Sequence, residues 1–196
     1  VVKCRTYLDN KMSTNDKPIY GINTGFGSLC NTQISNADLG KLQRNLVMSH
    51  ACGMGEEVPQ DIVKLMLLLK IQGLSYGHSG VQLITIQRLI DFYNNDVFPV
   101  VYQQGSLGAS GDLAPLAHLV LPLLGLGQVN HKGNRISGAE LNKLMNWEEI
   151  DLQSKEGLAL LNGTQFMSAY GVHSLLRANK LSTLTDLVTA ISIEAY

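Results

Sequence analysis

The sequence predicts a mainly α protein: a helical bundle with a looser N-terminal part, up to about Pro99, and one short β-hairpin. Three observations predict it. Apolar residues recur at helical spacing in several separate stretches, strand-like alternation is confined to residues 128–137, and residues 113–126 form an apolar run opened by helix-start residues. A hydrophobic share of 45% in 196 residues is enough to bury a core, whether in one domain or in a piece of something larger. The formal net charge is −1 and no Lys/Arg cluster offers a footprint for phosphates, so nothing points to nucleic acid. The most apolar run carries a histidine and two prolines and is too short for a bilayer, so no membrane partner is expected. Cys4, Cys30 and Cys52 lack metal-ligand spacing, and reduced thiols in a cytoplasmic protein are expected.

Taken in order, residues 1–17 are mixed and polar and predict no particular element. The string Pro18-Ile19-Tyr20-Gly21-Ile22-Asn23-Thr24-Gly25-Phe26-Gly27-Ser28-Leu29 is a flexible loop. It fits neither a dinucleotide fingerprint nor a P-loop, because no Gly-Lys-Ser/Thr follows. Residues 35–50 read as a helix, with Ser35 and Asp38 resembling a capping box. At ~100° per residue, Leu39, Leu42, Leu46 and His50 share one stripe, which aims His50 the way the core leucines point. Cys52 reads as packing. Pro59 is placed to start the next helix, whose residues from Ile62 to Ile71 leave almost no polar face. Gly77-His78-Ser79-Gly80 breaks it, with His78 and Ser79 read as structural caps for the helix through Leu83, Leu89 and Tyr93. Asn94-Asn95-Asp96 should stop that helix.

The stretch that organises the chain follows: Gly105-Ser106-Leu107-Gly108-Ala109-Ser110-Gly111-Asp112-Leu113-Ala114-Pro115-Leu116-Ala117-His118. It starts as a small-residue loop and becomes a helix at Asp112, a candidate N-cap, with Pro115 in the first turn. The loop should therefore sit at the positive end of a helix. Composition alone makes this a tight connection into a buried helix. The tripeptide Ala109-Ser110-Gly111 permits something sharper. Attack of the Gly111 nitrogen on the Ala109 carbonyl closes a five-membered ring, and loss of the Ser110 hydroxyl as water leaves an exocyclic methylene. Glycine suits the attacking position because it lacks a Cβ. Pro122 cannot donate to the His118 carbonyl, so a bend is expected there. Residues 128–137 read as a hairpin turning at Lys132-Gly133-Asn134. A short helix over 141–145 comes next, then Trp147 as a packing anchor. Lys155 and Glu156 read as an exposed charge pair of little weight. Asn162-Gly163 reads as a turn before a long final helix.

The string from Gly105 to His118 closely resembles the signature of the aromatic amino-acid ammonia-lyases. In that family the tripeptide becomes the 4-methylideneimidazol-5-one (MIO) electrophile. Residues 20–27 resemble the family's loop with a mobile catalytic tyrosine. Lys155-Glu156-Gly157-Leu158-Ala159-Leu160-Leu161-Asn162-Gly163-Thr164-Gln165 is similar to the segment whose asparagine reaches the MIO and the substrate. Asn45-Leu46-Val47-Met48-Ser49-His50-Ala51-Cys52-Gly53 matches the histidine-specific branch, where the Ser-His pair lies at the substrate ring. A histidine at 118 is also more like that branch, though its own role reads as structural.

The resemblance implies a lyase that converts L-histidine to trans-urocanate and ammonia, by way of an MIO made from Ala109, Ser110 and Gly111. It implies no metal and no nucleotide. Tyr20 is then the base for the β-proton, which requires an ionised phenol; His50 holds the substrate ring and Asn162 positions the amine. Residues 1–99 carry the tyrosine loop and the ring-binding helix; residues 100–196 start the central bundle and carry the MIO loop, in one incomplete catalytic unit. A tyrosine or phenylalanine lyase, or an aminomutase of the same family, is the nearest alternative. A non-catalytic helical oligomerisation fragment is the alternative of another class. Family members are much longer and form homotetramers with further site residues. The chain, which starts without Met and stops inside an apparent helix, is therefore expected to be an inactive portion of an enzyme.

Overall fold

The computed structural model describes residues 1–14, 17–25, 31–108 and 110–196. Eight α-helices occur among the described residues: α1 (Val2–Thr14), α2 (Leu39–His50), α3 (Gln60–Ser75), α4 (Leu83–Asn94), α5 (Leu113–Val120), α6 (Gly138–Met145), α7 (Glu156–Leu161) and α8 (Gln165–Ala195). The five strands are short: β1 (Met54–Glu57), β2 (Val97–Pro99), β3 (Tyr102–Gln104), β4 (Gln128–His131) and β5 (Asn134–Ser137). The fold is mainly α, as expected. The expected hairpin is β4–β5, turned by Lys132 and Gly133, both at positive φ. It is not isolated. β2 pairs antiparallel with β4, Val97 opposite His131, and a second antiparallel pair joins β1 to β3.

One apolar core runs from Val47 to Ala169 and draws on residues from both sides of Pro99. Met66 and Leu67 of α3, Leu89 and Phe92 of α4, and Leu116, Leu119 and Leu123 in and after α5 form its fully buried centre. Pro122 opens a 3₁₀ turn, Leu121–Leu124, where the bend was expected, and Gly125 closes it in the left-handed region. Trp147 anchors α4, with its ring 5.8 Å from that of Phe92 and the Arg88 guanidinium 4.7 Å above it. Beyond Tyr170 the long helix α8 leaves the core. Leu175, Leu176, Leu181, Leu184, Leu187 and Ile191 are each more than half exposed.

Several local expectations need correction. Residues 2–14, which predicted nothing, form α1, tied down by Arg5, whose guanidinium donates to the carbonyls of Gly80 and Ser154. Ser35 makes no backbone cap; its hydroxyl donates to the Asp38 carboxylate at 2.6 Å, and a 3₁₀ turn precedes α2. The deepest face of α2 is Leu39, Gln43 and Val47, one position round from the expected stripe, so Leu42, Leu46 and His50 are half-buried. The cause is a polar contact: the Gln43 Oε1 accepts from the Gly157 N–H at 2.9 Å. Gln82, not His78 or Ser79, stands at the N-cap of α4. Cys52 is exposed rather than packed. Cys30 lies outside the described residues.

The largest correction concerns Lys155 and Glu156. Glu156 has no exposed surface. Its carboxylate accepts from the backbone N–H groups of Gln82 and Gln153, the Thr85 hydroxyl and the Gln82 side-chain amide, all at 2.7–2.8 Å. Lys155 donates to the Ser79 carbonyl at 2.6 Å. A buried carboxylate persists only when its oxygens are satisfied, and here four donors from three segments converge on it. Truncation leaves those donors unpaired, so Glu156→Ala should cost at least about 3 kcal/mol. Urea unfolding of the wild type and variant measures this directly; a loss under about 1 kcal/mol would show that the cluster does not hold α4 to α7.

Candidate active site

The loop between β3 and α5 begins at Gly105, whose φ of +133° suits glycine alone. A side chain there would meet the Ala114 Cβ at 2.8 Å and the Gly53 Cα at 3.3 Å. This close approach brings the segment leaving His50 against the loop. His118 reinforces it: its Nε2 accepts from the Gly53 N–H at 3.0 Å, and its ring meets Tyr102 edge-on at 5.0 Å. Burial holds the His118 imidazole below the ordinary histidine range, which keeps Nε2 as an acceptor. The structural role expected of His118 fits this contact.

The loop turns tightly between Gly108 and Gly111, with the Gly111 N–H donating to the Gly108 carbonyl at 2.8 Å and the Leu107 N–H to the Gly111 carbonyl at 3.1 Å. Ser110 is exposed. Ala109 lies outside the described residues. At Gly111 a Cβ would stand 3.0 Å from the Leu107 Cβ and 3.1 Å from the Gly108 carbonyl. The turn thus has little room for a side chain at Gly111, the position expected from the sequence to supply the attacking nitrogen. Gly111 also forms an isolated parallel bridge with Gly163. That bridge sets Asn162, the residue before Gly163, near Gly111.

Asp112 begins α5 by position, but its side chain does not cap that helix. Instead the carboxylate, fully buried, accepts from the Ser106 hydroxyl at 2.6 Å and from the Met167 N–H, in the first turn of α8, at 3.1 Å. The N-termini of α5 and α8 consequently meet at the end of the loop, where backbone N–H groups favour negative charge.

Asn162 ends α7 in an extended conformation, φ −79° and ψ 132°, and is exposed. Its side-chain amide has no partner among the described residues. His50 is the last residue of α2. Its Nδ1 lies 2.8 Å from the Leu46 carbonyl and 3.2 Å from the Ser49 hydroxyl. A carbonyl only accepts, so this bond puts a proton on Nδ1, and in the neutral ring the lone pair is on Nε2. Tyr20 sits in the turn over residues 20–23, 59% exposed. Its neighbours Ile19 and Ile22 line a cavity of about 210 Å³ with Cys4, Leu8 and His78, so this segment is anchored toward α1. Gly111, Asn162 and the segment leaving His50 are drawn together by these contacts. Tyr20 lies in the loop before α2, on the α1 side, and residues 26–30 of that loop are not described.

Sequence reasoning missed Lys70. It is 2% exposed on α3, and its Nζ donates to the carbonyls of Ala159 at 2.9 Å and Asn162 at 3.2 Å. The spacing Ile62, Met66, Lys70, Leu74 did carry the signal, since it places a lysine at a core position. Burial pushes the ammonium down to about 7, against the opposing pull of the Asp112 charge. No group of three or more His, Cys, Asp or Glu among the described residues could hold a metal. No described helix is long and apolar enough to cross a membrane.

Known proteins are similar to this chain in sequence and in fold. A sequence model of the aromatic amino acid lyase family matches residues 1–196, and the chain belongs to that family. Histidine ammonia-lyase of Vibrio vulnificus is 50% identical over 190 residues, which cover 97% of this chain and 37% of that protein. That of Streptococcus pyogenes is 47% identical over 192 residues. The crystal structure of histidine ammonia-lyase from Trypanosoma cruzi superposes with a TM-score of 0.85 at 38% identity, over 95% of this chain and 36% of that one. Tyrosine aminomutase from Streptomyces globisporus gives 0.78 at 34% identity, over 86% and 31%. The chain thus spans about 37% of the length of the curated relatives it matches.

Lys70 sets a pH dependence. The folded chain releases the lysine proton near pH 7 and the unfolded chain near 10.5, so the unfolded state holds more protons between those values. Stability from this group should rise with pH through that window, by ~1.4 kcal/mol per unit at most. Unfolding free energies from pH 7 to 10 should show a steeper rise in wild type than in Lys70→Met; parallel curves would contradict it.

Proposed function

We propose that a protein of the relatives' full length carrying this chain deaminates L-histidine to trans-urocanate and ammonia without oxidation. Ala109, Ser110 and Gly111 would form the MIO group, with no metal and no nucleotide. The Gly111–Gly163 bridge is the observation that supports this most, because it sets the last residue of the tripeptide against the Asn162 corner. The crowding at Gly111 and the exposed Ser110 hydroxyl suit ring closure with loss of water. When formed, the group would supply an electrophilic carbon able to make the substrate amine a better leaving group.

The chain's own residues supply the rest. The Tyr20 oxygen accepts the β-proton as the C–H electron pair becomes the Cα–Cβ double bond and the C–N bond breaks. The His50 Nε2 accepts an N–H of the substrate imidazole. Asn162 donates and accepts at once, which suits it to hold the amine. The helix N-termini meeting at Asp112 favour negative charge at the end of the loop. Cytoplasmic location and a homotetramer complete the proposal, and the exposed leucines of α8 support burial against further protein.

Two variants of the full-length protein test this. Wild type should weigh two waters less than its sequence, one lost as the Gly111 nitrogen condenses with the Ala109 carbonyl and one from the Ser110 hydroxyl, and should absorb in the near ultraviolet. Ser110→Ala should lose both signals and almost all deamination while keeping its helical circular dichroism. Unmodified mass in a fully active wild type would refute the mechanism. For ring selection, His50→Leu leaves a buried polar group on the substrate unpaired, at about 1–3 kcal/mol. Steady-state kinetics should show histidine turnover down at least roughly tenfold, with phenylalanine relatively favoured. Retained preference for histidine would remove His50 from the site. Gain on tyrosine would instead favour a phenol-directed family member.

A further inference from the structure

Lys70 occupies a core position with a charged group, and no step above uses it. Ile62, Met66, Lys70 and Leu74 recur at every fourth residue of α3 and are all buried. The lysine stem fills this stripe, and its Nζ emerges where α7 ends. Because α7 stops at Leu161, the carbonyls of Ala159 and Asn162 have no helical N–H to accept from. Both accept from Nζ instead, at 2.9 Å and 3.2 Å.

The consequence falls on Asn162, whose side chain is exposed and has no partner among the described residues to aim it. Its backbone is held on two sides. Downstream, Gly163 bridges to Gly111. At Asn162 itself the carbonyl is fixed by Lys70, and a planar peptide bound at its oxygen leaves the attached Cα little freedom. Asp112, the residue after Gly111, is a second link, since its negative charge favours the charged form of Lys70.

We propose that Lys70 is a positioning residue: its Nζ pins the Ala159 and Asn162 carbonyls and so aims the Asn162 side chain at the Ser110–Gly111 turn. This rests on the reading of Asn162 as a site residue.

The test is a double-mutant cycle in the full-length protein, with kcat divided by ring content from intact mass. Lys70→Met should lower kcat per ring-bearing site about tenfold or more, while KM moves less than about threefold. In an Asn162→Ala background the same change should cost nothing further, because Lys70 acts through Asn162. A purely structural lysine would give losses that multiply, and that result overturns the inference. So does a wild-type kcat in Lys70→Met. If Lys70→Met does not fold, Lys70→Gln, which keeps an N–H donor on a shorter stem, runs through the same cycle: no further loss beside Asn162→Ala supports the inference, and multiplying losses overturn it. A wild type without the two-water deficit and without histidine turnover overturns the functional reading, and this inference with it. A normal wild type with multiplying losses overturns the role of Lys70 alone.

Discussion

Asp112 holds together the segments that carry the candidate site. Its carboxylate is fully buried, accepts the Ser106 hydroxyl from the loop, and accepts the Met167 N–H from the first turn of α8. Without those donors the group would be an uncompensated buried charge, which costs far more than its pairings return. The loop from Gly105 is thereby linked to the first turn of α8. Since Gly111 also bridges Gly163, the corner between α7 and α8 is fixed to the same loop from two directions.

Two further buried ionisable side chains extend this scaffold. Glu156 gathers four donors from the segments before α4, within α4 and before α7. Lys70 takes the two carbonyls that the end of α7 leaves without helical partners. Apolar burial brings α3, α4, α5 and α7 into contact, but it is non-directional. The polar groups add direction, because each bond requires a particular atom at a particular distance. The short helix α7, of six residues, is too short to be stable alone. It is held at its start by Glu156, on its face by Gln43 at Gly157, and at its end by Lys70.

The strings on which the proposed site rests are local. A glycine-rich turn into a helix, a small tripeptide suited to cyclisation and an Asn-Gly corner can each be read within a dozen residues. Most helix positions after residue 35 were legible for the same reason: periodicity, Pro59, Pro122 and the glycine breaks act on the backbone within a few residues. The hairpin at Lys132-Gly133 was legible from its turn. Its third strand was not, because Val97 pairs with His131 across a long separation that no local pattern records.

By itself, then, the sequence determined the mainly α class and most of the helices after residue 35, and it singled out the residues that the proposed chemistry would use. Tertiary structure decided which polar side chains are buried and what they bind. Glu156 looks like a surface charge until α4 and the segments before it supply donors, and Lys70 looks like a break in an apolar face until the end of α7 supplies acceptors. The buried face of α2 turned one position because Gly157 needed the Gln43 amide. Asp112 left its own helix for the first turn of α8, 55 residues onward in the chain. In each case the deciding partner is distant in sequence, and burial strengthens a satisfied polar bond and penalises an unsatisfied one.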